Sequence, residues 1–242
     1  MPARNLPERI RAIQSTAEVI ARSLKEMIHE AELKPGQPLV QETIAGMFDV
    51  SRIPVRDALQ LLVKSGLAVN VPRRGVVVRP LSRRLLSELF ELRKILEGAG
   101  ARLAAERITP ALLRELRGLI REQTECLRAA DVKRQEKLDE SFHRTYYRSI
   151  GNDALFELIF ATWERTKQAR SASVADPEHG RRWIAASIKR HRQVLAALTA
   201  GNADEASRAV VGGIESSQAE ITASLEQKGW IEAPSSNGKE AA

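Results

Sequence analysis

Only one cysteine, Cys126, stands in the 242 residues, so no disulfide can close within the chain, and a lone thiol fits a reducing cytoplasm. Tyrosine and phenylalanine are scarce, at two and five, while leucine and alanine are abundant. That balance favours helices over sheets. No uncharged apolar stretch approaches the ~18 residues of a membrane span. The opening MPARNLPERIRAIQ carries charges where a secretory leader needs an apolar run. What is present is the composition of a soluble globular protein able to bury a core, with 43% hydrophobic and 29% charged residues. The length suits one large domain or two modest ones.

The formal net charge is +7, and its placement says more than its size. Residues 1–84 hold 14 Lys and Arg against 8 Asp and Glu, whereas the remainder holds 24 against 23. A basic small unit joined to a neutral large one points to a polyanion as the partner of the small unit. A membrane surface would require a basic amphipathic helix with bulky apolar anchors. Here the basic residues gather around turns instead.

The spacing of Ile13, Ala17, Ile20, Leu24 and Ile28 predicts an amphipathic helix over 8–33, stopped by Pro35 and Gly36. QETIAGMF (41–48) reads as a short helix with Ile44, Ala45 and Phe48 inward, and DVS (49–51) as a tight turn. Ser51 suits an N-cap, and Pro54 falls in the first turn, where its missing N–H costs nothing. Val55, Leu59, Leu62 and Val63 make the buried stripe of a helix that Gly66 ends. LAVNV (67–71) and VVVRP (76–80) flank PRRG and read as a β-hairpin. Helix, short helix, turn, helix, hairpin is the order of a winged helix-turn-helix. Its second helix enters the major groove with the N-terminal turn leading. Arg52 and Arg56, one turn apart and without an acid between them on that face, suit guanine edges and phosphate. An isolated arginine pair of this kind would merely solvate a helix surface. The turn, the cap and a basic wing tip with Arg73, Arg74 and Gly75 favour DNA.

Residues 39–80, with LVQETIAGMFDVSRIPVRDALQLLVKSGLAVNVPRRGVVV, closely resemble the DNA-binding domain of the GntR superfamily of bacterial transcription regulators. The resemblance implies that Ser51, Arg52, Pro54 and Arg56 begin the recognition helix and that Arg74 and Gly75 lie in the wing. Asp49 departs from the family's usual Gly, yet Asp tolerates a left-handed backbone better than most residues.

The rest reads as about six helices, over 81–108, 110–130, 133–150, 154–172, 181–201 and 203–227, without strand signals. These make an antiparallel all-α bundle. The expected organisation is therefore mostly α: a winged helix-turn-helix over 1–80, a helical domain over 81–228, and a small polar tail over 229–242 read as disordered. Asp139 and His143 are four apart on one helix, so one ion can reach both, and His191 lies on another. The same three residues would equally serve as surface or capping groups, and His29 and His179 read as surface residues.

LRKILEGAGARLAA (92–105), DESFHRTYYRSIGN (139–152) and HRQVLAALTAGNADEA (191–206) resemble the FCD effector domain of the FadR-like branch of that superfamily. The resemblance implies a divalent metal, zinc or a nickel-like ion, held by Asp139, His143 and His191. It also implies a small carboxylate effector beside Arg93, whose alternative is a salt bridge to Glu97. The family's fourth ligand, a His, falls on Gly213 here. Ser216 or Ser217 could stand in, or the position could be open or the site empty. Three ligands and an open position are also the pattern of a catalytic zinc. A metal-dependent hydrolase is therefore the alternative, although no base, nucleophile or oxyanion group accompanies the ligands. The expectation is a homodimeric, cytoplasmic repressor with no membrane partner. It would bind a double-stranded DNA operator under the control of a small carboxylate.

Overall fold

The structure, a computed structural model, describes residues 15–174 and 177–231. The chain divides into two compact units, Met1–Pro80 and Leu81–Ala242. In the first unit, the Ser15 hydroxyl accepts the Glu18 N–H while the Glu18 carboxylate accepts the Ser15 N–H. This capping box starts α1 (Thr16–His29), with Ile20, Leu24 and Ile28 buried along one stripe. Of the helix expected over 8–33, the described part begins at the Ser15 cap and ends earlier than expected. Residues before 15 lie outside the described residues. The helix stops at His29, well before Pro35 and Gly36. The N–H groups of Glu32 and Leu33 both return to the Met27 carbonyl, and Ala31 takes φ 63°. That folds the chain back over the last turn and buries Leu33. His29, read from the sequence as a surface residue, is only 5% exposed.

After α2 (Gln41–Phe48), Asp49 takes the left-handed conformation, φ 52° and ψ 50°, that the tight turn requires. The turn hands over to α3 (Arg52–Lys64), which buries Val55, Ala58, Leu59 and Leu62 against α1. β1 (Ala68–Val71) and β2 (Gly75–Val78) pair antiparallel from Ala68 opposite Val78 to Val71 opposite Gly75. Leu39, Ile44, Leu59, Leu62 and Val78 share one apolar core. That core fixes the start of α3 and the hairpin while leaving their tips in water.

The second unit holds six α-helices among the described residues: α4 (Arg83–Arg107), α5 (Pro110–Ala129), α6 (Val132–Tyr147), α7 (Asp153–Val174), α8 (Pro177–Thr199) and α9 (Ala203–Gln227). A single 3-10 turn, Arg148–Ile150, follows α6. Side-chain caps begin most of them: Ser82 for α4, Thr109 ahead of Pro110 for α5, Asp131 for α6 and Asn202 for α9. The longest packed pair is α4 along α9, with α5 on α6 and α8, and α7 on α4. Gly100 allows a close approach there, since a Cβ would stand 3.0 Å from Ile159 and 3.1 Å from Tyr147. The predicted tail is corrected at its start. The Trp230 N–H bonds the Leu225 carbonyl and Ile231 is buried, so the packed chain reaches at least residue 231; 232–242 lie outside the described residues. No helix among the described residues is long and apolar enough to cross a membrane.

Candidate nucleic-acid interface and candidate metal centre

The start of α3 is an exposed basic edge. Arg52 and Arg56 each show 65% of their side chains to solvent. The sequence has no acid between them on that face, and the structure brings acids to them from elsewhere. Glu42 reaches across from α2 to put Oε1 2.9 Å from Arg52 Nη1, and Asp57 lies 3.7 Å from Arg56. All four side chains are at least half exposed, so these pairs are worth under about 1 kcal/mol and exchange readily for a stronger anion. Ser51 occupies the cap position with extended backbone, yet its hydroxyl makes no capping bond. Pro54 packs half-buried in the first turn, and Ile53 stands 66% exposed beside the arginines. At the hairpin tip Arg73 takes φ 63° and Gly75 φ 73°, and the Arg74 N–H closes the turn onto the Val71 carbonyl. Arg73 and Arg74 are both exposed. Such an edge can offer forked donors to base edges at α3 and point charges to phosphates at the tip.

The second unit keeps its chemistry inside. Asp139 and His143 leave one face of α6, and His191 comes from α8. One ligand atom from each lies within 4.8 Å of the others. His191 Nε2 is 3.3 Å from Asp139 Oδ1 and 3.3 Å from His143 Nε2. Gln123 on α5 fixes the proton of His191. Its Nε2 donates to the Leu138 carbonyl at 3.2 Å, which turns its Oε1 to His191 Nδ1 at 2.8 Å. Nδ1 therefore carries a hydrogen, and in the neutral tautomer His191 turns its bare Nε2 toward Asp139 Oδ1 and His143 Nε2. A cation among the three atoms suits that convergence. The Ser187 hydroxyl donates to Asp139 at 2.8 Å, Tyr146 meets His143 Nδ1 at 3.0 Å, and the Phe142 ring stacks on His191 at 4.0 Å.

Burial works against the Asp139 carboxylate, but the cationic groups that face it, His191 first when it is protonated, then His143 and Arg170, outweigh burial and hold its pKa below the usual carboxylate range. Burial pushes His143 well below the usual imidazole range despite Asp139, so it stays neutral and able to ligate. One carboxylate and two imidazoles fit zinc or a similar ion, with further positions open.

A cavity of about 50 Å³ adjoins this cluster, lined also by Arg93, Arg170, Arg190 and Gly213. For Arg93 the sequence offered a carboxylate ligand or a salt bridge to Glu97. The bridge is present, with Nε 2.6 Å from a fully buried Glu97, which also accepts the Tyr147 hydroxyl at 3.1 Å. Arg93 nevertheless lines the cavity. At Gly213 a Cβ would come 3.1 Å from Arg190 Cδ, so an arginine chain lies over the position that would hold a fourth imidazole. Of the two serines considered in its place, Ser217 lines the cavity, whereas the Ser216 hydroxyl is turned to the Gly212 carbonyl. Sequence reasoning missed Gln123, Arg170, Arg190 and Ser187. Only Ser187 carried a signal, standing one helical turn before His191.

Comparison with known proteins gives two family matches: "Bacterial regulatory proteins, gntR family" over residues 16–78 and "FCD domain" over 88–215. The Nta operon transcriptional regulator of Aminobacter aminovorans is 33% identical over 142 residues, 57% of this chain and 65% of that relative, so the chain spans just under two thirds of it. The HTH-type transcriptional repressor RspR of Escherichia coli is 26% identical over 217 residues, 88% of this chain and 90% of that one. Among solved structures, Escherichia coli McbR/YncC superposes with a TM-score of 0.73 at 24% identity, over 89% of this chain and 100% of that chain, a likeness of fold.

Proposed function

Because the chain belongs to the gntR family of bacterial regulatory proteins and carries an FCD domain, it is a DNA-binding transcription regulator rather than an enzyme, and we propose that it is a homodimeric, cytoplasmic repressor released by a small carboxylate. The hydrolase alternative has no support in this family. The observation that carries the proposal is the pairing of two opposite environments in one chain. One is an exposed arginine edge at the start of α3, and the other is a buried Asp139, His143 and His191 cluster beside an arginine-lined cavity.

In this reading Arg52 and Arg56 exchange Glu42 and Asp57 for guanine edges or phosphate, and Ser51 donates to phosphate. Pro54 sets the first turn, and Arg73, Arg74 and Gly75 approach the neighbouring backbone. Two copies of α3 enter successive major grooves about 34 Å apart. Asp139, His143 and His191 hold a divalent ion, zinc or nickel-like, which when bound supplies a Lewis-acidic position for an effector oxygen. Arg93, anchored at Nε by Glu97, supplies the remaining donors of its guanidinium to the effector carboxylate. The name of the relative RspR, a repressor, supports the sign of regulation. The effector shifts DNA binding only by its preference for one of the regulator's conformations.

Two measurements test this. Operator fragments selected from random DNA should bind with a salt-dependent affinity, and added carboxylate should weaken that binding. Failure to enrich any sequence overturns sequence-specific binding. Calorimetric titration of zinc into the metal-stripped protein should show one site per chain that His143→Ala abolishes, because two remaining ligands cannot enclose a tetrahedral ion. Identical zinc binding by wild type and His143→Ala overturns the metal centre.

A further inference from the structure

Arg190 is the residue that the family resemblance did not account for. Its side chain is 18% exposed, and its aliphatic part lies across Gly213, where a Cβ would come 3.1 Å from its Cδ. It also separates two spaces. Arg190, Ala209 and Gly213 line both the small cavity beside Asp139 and an open cleft of about 300 Å³ that continues past Gly212, Arg208 and Ser216. A ligand seated in the cavity with a chain too long for 50 Å³ has its exit over the bare Cα of Gly213, alongside the Arg190 guanidinium.

The charges around this passage are unbalanced. The cavity lining contains three arginines, Arg93, Arg170 and Arg190, and one carboxylate, Asp139. Arg93 is matched by Glu97 at 2.6 Å. Arg170 is 3.7 Å from Asp139, lies 4.7 Å over the Trp163 ring, and its buried Nε has no hydrogen-bond partner. Arg190 is met by Glu220 at a loose 3.9 Å, and that carboxylate is half exposed. In the cleft, Glu205 is already taken by Arg208 at 2.8 Å. Arg170 therefore keeps a buried donor unsatisfied, and Arg190 beside the passage has only a loose, half-exposed partner. A buried cation donor without a partner is costly and is a strong demand for an anion. A cation held by Asp139 would enlarge the excess.

We infer that the effector is a short dicarboxylate, one carboxylate held in the cavity by Arg93 and the other held by Arg190 across the side-chain gap at Gly213. This rests on the reading of the cavity as a carboxylate site. Arg190 sets specificity, because a monocarboxylate of the same length leaves its guanidinium as it is in the free protein and gains nothing there. Gly213 is then a residue that makes room, not a missing ligand.

The experiment is calorimetric titration of the full chain with three matched pairs: propionate and malonate, butyrate and succinate, valerate and glutarate. One dicarboxylate should bind at least about tenfold more tightly than its partner, the size of one charge-assisted contact. Arg190→Gln should bring that ratio to within threefold of one while leaving the monocarboxylate affinity within threefold of wild type. Arg190→Lys should restore part of the preference. Gly213→Ala, a change that helix propensity favours, should reduce the preference by displacing the Arg190 chain. The double variant Arg93→Gln, Glu97→Gln should weaken mono- and dicarboxylates alike. If wild type binds both classes equally, or Arg190→Gln weakens both by one factor, the dicarboxylate inference falls and the carboxylate site stands. If no acid binds, or the double variant binds as wild type does, the carboxylate site itself falls and takes the inference with it.

Discussion

Two arginine–glutamate pairs, one in each unit, have nearly the same geometry and opposite consequences. Arg52 and Glu42 meet at 2.9 Å with about two thirds of each side chain in water. Arg93 and Glu97 meet at 2.6 Å with 7% and none of theirs exposed. In water, breaking a pair costs little because both charges are rehydrated, so Arg52 can change partners. In the bundle neither charge can be rehydrated, and removing one strands the other. The first unit thus carries its chemistry on side chains that its core does not need. In the second unit the candidate site is part of the core.

The contrast can be broken most directly at Arg93. Arg93→Ala leaves Glu97 buried without its cation and should cost about 3–5 kcal/mol in urea unfolding. The double variant Arg93→Gln, Glu97→Gln should recover most of that loss. A cost below about 1 kcal/mol would erase the difference between the two pairs. At the exposed edge, Arg56→Ala should cost about 1–3 kcal/mol on the selected operator, little on random DNA, and leave unfolding within about 0.5 kcal/mol of wild type. Equal losses on both DNAs would take Arg56 out of base readout. Glu42→Ala should change stability by less than about 1 kcal/mol and retain operator binding, since only an exposed pair is lost. The smallest effect belongs to the wing. Arg74→Ala should weaken all DNAs similarly and lower the slope of log affinity against log salt by about one. An unchanged slope would place Arg74 away from phosphate.

Much of the first unit was legible in the sequence because its signals are local. The alternation of apolar residues, Pro54 in a first turn, Gly66 at a helix end and Arg-Arg-Gly between two β-branched runs each act over a few residues. Asp49 shows the limit in the favourable direction: its left-handed backbone follows from its own short side chain. Glu42 shows it in the other, because its pairing with Arg52 depends on the angle that the turn sets between α2 and α3. In the second unit the helices were legible to within a few residues, and Asp139 and His143 share a face by spacing alone. Their approach to His191 is a matter of how α6 and α8 pack.

The amino-acid sequence by itself determined that this chain is helical, that its basic excess lies at one end, and that α3 opens with Ser51, Arg52, Pro54 and Arg56. Periodicity, caps and charge counts are properties of neighbours along the chain. Only the tertiary structure decided that Gln123 on α5 fixes the proton of His191 on α8, that Glu97 and Arg93 are buried together, and that Arg190 lies over Gly213. Each of these joins residues from different helices or depends on exclusion of water, and burial belongs to the packed whole rather than to any stretch of sequence.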